Sequence, residues 1–150
     1  MTPQDLFAKY DVPVPRYTSY PTVPSWHNSP TTNSWVESLN RALAHSEQSV
    51  ALYVHIPFCE SLCTYCGCNT VITRNHDKGR AYIDQLFAEI DWYLAQCPGL
   101  REHPVGQLHL GGGTPTFLTP DELGALLDGI RARLPFAVDF EGSIEVDPRV

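Results

Sequence analysis

The chain has 150 residues, of which 43% are hydrophobic and 18% charged, and this composition excludes a disordered or fibrous protein. Its formal net charge is -7 and its ten Lys and Arg residues form no basic run, which argues against a nucleic-acid or anionic-membrane partner. Because the sequence contains neither a signal-peptide pattern nor a long apolar run, we expect a soluble, cytoplasmic protein with a small-molecule substrate.

Residues 1 to 30 carry six prolines and few periodic apolar positions, which predicts extended structure. A flexible leader and an ordered arm both fit this composition, but four aromatic residues are unusual for a linker: Tyr10, Tyr17, Tyr20 and Trp26. A helix is predicted from Ser34, because Ser34 and Glu37 have the spacing of a capping box. Residues 1 to 48 are therefore assigned to an N-terminal arm and helix.

The rest of the chain alternates between predicted strands and helices. Strands are predicted at residues 49 to 56, 105 to 110 and 142 to 146, and helices at residues 79 to 96 and from Thr119 to about residue 134. This order implies an α/β fold with parallel strands joined by crossover connections. Since three strands cannot close a barrel, residues 49 to 150 are predicted to be the first part of a partial (β/α) barrel. Further strands and a C-terminal domain are expected outside the chain.

Each predicted strand ends near residues that could bind a metal or a ligand. A cysteine-rich loop follows the first strand, residues 111 to 113 are a triple glycine after the second, and Glu145 lies near the end of the third. Because the carboxyl ends of parallel strands share one edge of a sheet, these segments are predicted to form one site. Alternatively, Glu145 is the outward residue of an alternating strand.

Four of the five cysteines lie within ten residues, at Cys59, Cys63, Cys66 and Cys68. Thiolates suit iron-sulfur clusters, zinc and Cu(I), and the Cys-x3-Cys-x2-Cys spacing matches neither common ferredoxin pattern. Three thiolates indicate a [4Fe-4S] cluster with one iron left open to a small molecule. Zinc is the main rival, because Cys68 could complete a closed site. The remaining cysteine, Cys97, is predicted to be a small buried apolar residue.

The triple glycine is interpreted as a segment that a ligand can approach closely, with a structural turn as the alternative. His55 and His109 are predicted to be hydrogen-bonded structural residues near the strand ends. The other histidines, including His76, are expected at surface or loop positions. Arg16 and Arg74 either pair with carboxylates of a substrate or lie in solvent.

Several stretches together resemble the radical S-adenosylmethionine superfamily. They are YVHIPFC at residues 53 to 59, the three-cysteine loop with Tyr65 before its last cysteine, and GGGTP at residues 111 to 115. Two more stretches, PRYTSYPT at residues 15 to 22 and CGCN at residues 66 to 69, narrow this resemblance. With them the chain resembles the oxygen-independent coproporphyrinogen III oxidase family of heme biosynthesis, from about residue 10 to residue 150.

The resemblance implies roles for particular residues. It makes Cys59, Cys63 and Cys66 the ligands of a [4Fe-4S] cluster, and it leaves Cys68 as a catalytic-site residue of uncertain role. It also implies two S-adenosylmethionine molecules. The residues carried over are Tyr53, Gly112 and Glu145 for the first molecule, and Tyr65, Gly113 and Thr114 for the second.

The resemblance further implies an oxidoreductase, a coproporphyrinogen dehydrogenase of the radical type. The reduced cluster would cleave S-adenosylmethionine to a 5′-deoxyadenosyl radical, which takes a hydrogen from a propionate side chain of coproporphyrinogen III. Loss of CO2 then leaves a vinyl group, and two rounds give protoporphyrinogen IX. An unidentified electron donor and a monomeric full-length protein are also expected.

Residues 1 to 150 alone are expected to be inactive, because most groups that hold the tetrapyrrole should lie downstream. Two other functions remain as alternatives. One is a heme-binding radical S-adenosylmethionine relative without decarboxylase activity, against which Cys68 and the arm at residues 15 to 22 argue. The other is a non-catalytic zinc-binding module, which the strand and helix order and the triple glycine leave unexplained.

Overall fold

The computed structural model describes residues 2–11, 23–27, 30–64 and 67–148. It forms two compact units, residues 1–34 and residues 35–150. The first unit contains helix α1 (Pro3–Tyr10), which the sequence analysis did not predict. This helix begins with a capping box, in which the Asp5 N–H donates to Thr2 Oγ1 and the Asp5 carboxylate accepts from the Thr2 N–H. Residues 12–22, with most of the predicted arm, lie outside the described residues.

Helix α2 (Thr32–Ala44) begins two residues earlier than predicted. Its cap is also different, because the Ser34 N–H donates to Thr31 Oγ1 at 3.1 Å and the Thr31 N–H donates to Ser34 Oγ at 2.8 Å. The predicted box of Ser34 and Glu37 is therefore wrong. Serine and threonine are both favoured N-cap residues, so the sequence did not distinguish the two starts.

The described strands are β1 (Val50–Ile56), β2 (Phe58–Cys59), β3 (Val71–Ile72), β4 (Val105–Gly112) and β5 (Phe136–Ile144). The three long strands form a parallel sheet in the order β1-β4-β5, which confirms the predicted parallel arrangement. The short strands β2 and β3 form a separate parallel pair on either side of the cysteine loop. Their two-residue length left no pattern from which to predict them.

Two strand boundaries differ from the prediction. Strand β4 continues through the first two glycines of the triple glycine, because Gly111 and Gly112 pair with His55 and Ile56 of β1. These two glycines are therefore strand residues rather than a turn. Strand β5 begins six residues before its predicted start, at Phe136.

Helices α3 (Asp77–Gln96) and α4 (Pro120–Arg131) bury the core against the sheet. The predicted capping box of Thr119 and Glu122 opens α4. The helices and strands contribute one cluster of buried residues, which includes Ile83, Leu94, Leu126, Ile130, Val54, Ile56, Leu108 and Leu110. The intervening strand residues, Tyr53, His55 and His109, are half-buried or exposed and belong to the opposite face.

Cys97 follows the last residue of α3 and is fully buried, which confirms its predicted packing role. Burial raises the pKa of its thiol. Among the described residues, no helix has the length and apolar character needed to cross a bilayer.

Candidate metal and cofactor site

A cavity of about 660 Å³ lies at the carboxyl ends of the long strands. The predicted site residues that line it are Cys59, Cys63, Cys68, Gly112, Gly113, Thr114 and Glu145. They come from the cysteine loop, the end of β4 with its following residues, and the segment after β5. The parallel strand order thus gathers these three segments around one cavity.

Cys59 ends strand β2 and is half-buried, and its Sγ lies 3.4 Å from Thr114 Oγ1. Cys63 is also half-buried, and both residues are free thiols. Two of the three predicted cluster ligands therefore line the cavity, whereas Cys66 and its neighbour Tyr65 lie outside the described residues. Within the described part of the chain, no three His, Cys, Asp or Glu side chains are gathered closely enough to hold a metal ion.

The glycine segment is packed tightly against the connection between β1 and β2. The Gly113 N–H donates to Ile56 O at 2.8 Å, and the Thr114 N–H donates to Phe58 O at 2.9 Å. A Cβ atom on Gly113 would lie 2.8 Å from Phe58 O and 2.9 Å from Cys59 Sγ. The absent side chain therefore leaves the Cys59 thiol room at the cavity wall, and thiol donors are the kind that an iron-sulfur cluster prefers.

Gly112 needs to be glycine for a second reason. Its φ of +116° is a conformation that residues with a side chain rarely adopt, and a Cβ there would lie 2.8 Å from Ile56 O. Both glycines thus have a structural requirement in addition to any contact with a ligand. The turn proposed as an alternative is replaced by a close approach of two backbone segments.

Glu145 lies just after β5 and turns toward the cavity. Its N–H donates to Leu110 O at 2.9 Å, and its Oε2 accepts from the Gly112 N–H at 3.2 Å. Its Oε1 lies 3.3 Å from His109 Nε2. The alternative of an outward-facing strand residue is therefore wrong. A half-exposed carboxylate held in this way can accept hydrogen bonds from an ammonium or hydroxyl group of a ligand.

Tyr53 lies outside the cavity lining, on the polar face of β1. Its ring stacks on His109 with 5.7 Å between ring centroids, and its hydroxyl lies 2.9 Å from His55 Nδ1. Desolvation, followed by the nearby negative charges of Glu145 and Cys68, raises the pKa of the Tyr53 phenol. Tyr53 is therefore connected to Glu145 through His109, which contacts both residues.

His55 holds the far end of the cysteine loop. Its Nε2 lies 2.9 Å from the carbonyl oxygen of Asn69, the residue after Cys68. Since a carbonyl only accepts, Nε2 carries a proton and Nδ1 is free to accept from the Tyr53 hydroxyl. The structural role predicted for this histidine agrees with these bonds.

Two further polar residues, Arg74 and His76, lie near the site. Arg74 is exposed and lines the cavity, where the other charged lining residues in the described part of the chain are Glu60, Glu145 and Asp147. His76 lies in the turn before α3 with an exposed side chain, as expected, and it also contacts Glu60 and Phe117. Its position directly before α3 was the one available signal, and it does not identify these partners.

No family model matches the chain. It is 41% identical over 143 residues to the oxygen-independent coproporphyrinogen III oxidase of Mannheimia haemolytica, a match that covers 95% of this chain and 94% of that sequence. It is also 41% identical over 144 residues to the oxygen-independent coproporphyrinogen III oxidase of Escherichia coli, covering 96% of this chain and 30% of the relative. The Pseudomonas aeruginosa protein of the same name is 42% identical over 147 residues, with 97% and 31% covered.

A solved structure is similar along nearly the whole chain. The coproporphyrinogen III oxidase from Escherichia coli, described as a radical SAM enzyme, matches with a TM-score of 0.80 and 39% identity over 96% of this chain. The match covers 30% of that structure, so the chain spans about a third of the length of the longer relatives. The predicted α/β fold of radical S-adenosylmethionine type is confirmed by this likeness.

Proposed function

The chain belongs to the oxygen-independent coproporphyrinogen III oxidase family, and on this premise we propose that it forms the cluster- and cofactor-binding part of an oxidoreductase of heme biosynthesis. The proposed substrate is coproporphyrinogen III and the proposed product is protoporphyrinogen IX. One observation carries the proposal. Two cysteines of the three-cysteine loop, the glycine segment and Glu145 line a single cavity at the strand ends.

Cys59, Cys63 and Cys66 are the proposed ligands of a [4Fe-4S] cluster. Three thiolates would leave one iron of the cluster without a protein ligand, and S-adenosylmethionine could bind to that iron. When bound, the cluster and S-adenosylmethionine would supply the radical that removes a hydrogen atom from a propionate side chain. The bond to the carboxyl carbon would then break to give a vinyl group and CO2, and one electron would pass to an acceptor of unidentified type. The chain's own contribution is to hold the thiols at the cavity wall and to orient the cofactor beside them.

The proposed cofactor residues surround the same wall. Tyr53, Gly112 and Glu145 are assigned to one S-adenosylmethionine molecule, and Tyr65, Gly113 and Thr114 to a second. The Glu145 carboxylate supports the first assignment, because the Gly112 N–H already orients it and it remains half-exposed to an incoming ammonium group. The short separation of Thr114 Oγ1 from Cys59 Sγ supports a role for Thr114 close to the cluster.

Arg74 is the proposed partner of a substrate carboxylate. It is the cationic residue among the described residues that line the cavity, and a guanidinium group binds carboxylates through two parallel hydrogen bonds. Three carboxylates line the cavity with it, from Glu60, Glu145 and Asp147. Arg74 would therefore decide where an anionic group can approach.

Further parts of the proposal concern the whole protein. We assign residues 1 to 48 to an arm and helix, and residues 49 to 150 to the first part of the partial barrel. A cytoplasmic location, a monomeric state and an electron donor of unidentified type complete the proposal. Cys68 remains a proposed site residue, and its position in the cavity lining is compatible with contact to the substrate or cofactor.

Anaerobic reconstitution of the protein with iron and sulfide tests the proposal most directly. We expect about four irons and four sulfides per chain, with zinc only as a contaminant. Addition of S-adenosylmethionine should change the electron paramagnetic resonance spectrum of the reduced cluster, because the open iron gains a ligand. Stoichiometric zinc with no bound iron would instead favour the non-catalytic zinc-binding module. An iron-sulfur protein that binds heme and leaves coproporphyrinogen III unchanged, when assayed with all of its domains, would favour the heme-binding relative.

A further inference from the structure

His76 connects three segments around the cavity. It precedes α3, its Nδ1 lies 3.0 Å from the carbonyl oxygen of Phe117, and its Nε2 lies 3.0 Å from Glu60 Oε1. Its ring also stacks on the Phe117 ring, with 4.3 Å between centroids and 10° between planes. One side chain is thus fixed by two hydrogen bonds and one ring contact.

The partners of His76 lie next to the proposed cluster and cofactor residues. Glu60 directly follows Cys59, at the start of the cysteine loop. Phe117 ends the short 3-10 helix Pro115–Phe117, which directly follows Thr114, and its side chain is only 4% exposed. We call residues 112 to 117 the glycine side of the cavity and residues 59 to 69 the cysteine side. The buried Phe117 ring on the glycine side is therefore the fixed point from which His76 contacts the cysteine side.

The chemistry of the two hydrogen bonds separates His76 from His55. The ring of His55 has one donor and one acceptor as partners, whereas both partners of His76 are acceptors. The bond to Glu60 joins the His76 ring to a carboxylate oxygen, which is an acceptor. The His76 and Glu60 side chains are 48% and 52% exposed, so this bond contributes little to the stability of the fold.

We propose that His76 is a positioning residue for the iron-sulfur cluster, acting through Glu60. By holding the Glu60 carboxylate against the fixed Phe117, His76 restrains the backbone that follows Cys59 and keeps the first thiol of the loop at the cavity wall. This inference rests on the proposed function, since it requires that Cys59, Cys63 and Cys66 hold the cluster. Its expected consequence is slower loss of iron from the loaded protein.

The test measures how fast a chelator removes iron from the anaerobically reconstituted protein. His76→Ala and Glu60→Ala should each accelerate iron release about five-fold, the effect of losing one ordinary hydrogen bond. The double variant should be no faster than either single variant, because both changes remove the same interaction. His76→Gln should restore part of the parental rate, since its amide still donates one hydrogen bond.

His103→Ala is the matched control. His103 Nδ1 lies 3.1 Å from the Gln48 carbonyl oxygen, before the start of β4 and thus at the opposite end of the sheet from the cavity. This variant should release iron at the parental rate. The electron paramagnetic resonance spectrum of the reduced cluster should change in His76→Ala and stay parental in the control.

Three outcomes would overturn the inference. Parental release rates in both His76→Ala and Glu60→Ala would do so, as would additive effects in the double variant. A metal-free His76→Ala protein that unfolds more easily than the parent, in step with its iron loss, would show a merely structural role. Each of these results leaves the proposed function intact, whereas a parent chain that takes up zinc and no iron overturns both.

Discussion

The two sides of the cavity are held in different ways. The glycine side is fixed by backbone hydrogen bonds, from Gly113 to Ile56 and from Thr114 to Phe58, in a region where a Cβ atom would meet backbone atoms. On the cysteine side, the pairing of β2 with β3 holds Cys59. Most of the described residues after it are exposed, and this part is held by the His76 contact to the Glu60 carboxylate and the His55 contact to the Asn69 carbonyl oxygen.

This difference indicates when each side acquires its final form. Packing and strand pairing form the glycine side during folding, with no ligand needed. Most of the described residues of the cysteine side are exposed, so cluster binding is expected to add to the contacts that hold this side, as metal binding commonly does in proteins. Substitutions on the cysteine side should therefore mainly lower the iron content, and those on the glycine side should mainly lower the free energy of unfolding.

The largest expected effect is on the cysteine side. Cys59→Ala and Cys63→Ala should each abolish the cluster, because removal of one thiolate leaves too few ligands to hold four irons. The free energy of unfolding of the metal-free protein should change by about 1 kcal/mol or less, since both thiols are half-exposed. Iron analysis after anaerobic reconstitution and chemical unfolding of the metal-free protein measure the two quantities.

Cys68→Ala is the control for this pair. It should retain the cluster, because Cys68 is assigned to the site and not to the ligand set. Equal loss of iron in the Cys59, Cys63 and Cys68 variants would contradict that separation. Strong destabilisation of metal-free Cys59→Ala would contradict the idea that the cysteine side is completed by metal.

On the glycine side, a substitution should change the free energy of unfolding of the metal-free protein more than the iron content. Gly112→Val should destabilise the metal-free fold by about 3 kcal/mol, because it combines a φ of +116° with overlap between its Cβ and Ile56 O. An interpretation based on sequence alone would have expected loss of cofactor binding with the fold intact. Because β4 closely approaches the end of β1, we instead expect the fold itself to be destabilised.

Gly124→Ala provides a matched control for this change. Gly124 lies within α4, and a Cβ atom there would meet no atom within 4 Å. The substitution should stabilise the protein by about 0.8 kcal/mol, through the higher helix propensity of alanine. Equal unfolding midpoints for the parent and Gly112→Val would show that the glycine side is more adaptable than its backbone contacts imply.

The sequence predicted the parts of the site that depend on strand order. Parallel strands required the cysteine loop, the triple glycine and Glu145 to meet, and their shared cavity follows from that order. The first part of β5 was missed although residues 138 to 141 alternate apolar and charged side chains, which is a strand signal, and the strand is largely exposed. Its start depends on pairing between Phe136 and Val105, which no local pattern encodes.

The contacts that fix the two sides were less accessible from the sequence. The bond between His76 and Glu60 joins residues 16 positions apart, and that between His55 and Asn69 joins residues 14 positions apart. His55 lies in β1 and His76 in the turn before α3, and neither has a partner at a fixed sequence spacing, so the partners of both are evident only in the folded chain. The structural need for Gly112 was hidden for the same reason, since the sequence shows that a glycine is present but not which atoms approach it.

A smaller effect is expected where the glycine side meets the ligand. Glu145→Gln should weaken S-adenosylmethionine binding by about 2 kcal/mol, because a neutral amide loses the charge-assisted bond to an ammonium group. Iron content should remain parental, since Glu145 is not a proposed cluster ligand. Glu141→Gln, on the exposed part of β5, is the control and should bind like the parent. Anaerobic titration of the reconstituted proteins gives both affinities, and equal affinities for the two variants would remove Glu145 from the proposed cofactor residues.

The smallest effect concerns a side chain that supports β1. The Tyr82 hydroxyl donates to the His55 carbonyl oxygen at 2.8 Å, and Tyr82→Phe should cost about 1 kcal/mol at neutral pH. Burial, followed by the charges of Glu89 and Tyr53, raises the pKa of Tyr82 above its ordinary value of 10.0. A pKa that is higher in the folded than in the unfolded chain means that stability is retained below pH 10.0 and lost as the pH rises through the folded-state value. As the pH rises above 10.0, Tyr82→Phe should therefore lose less stability than the parent. Unfolding experiments at closely spaced alkaline pH values measure this loss. The same alkaline slope in parent and variant would show that Tyr82 ionises as readily in the folded chain as in the unfolded one.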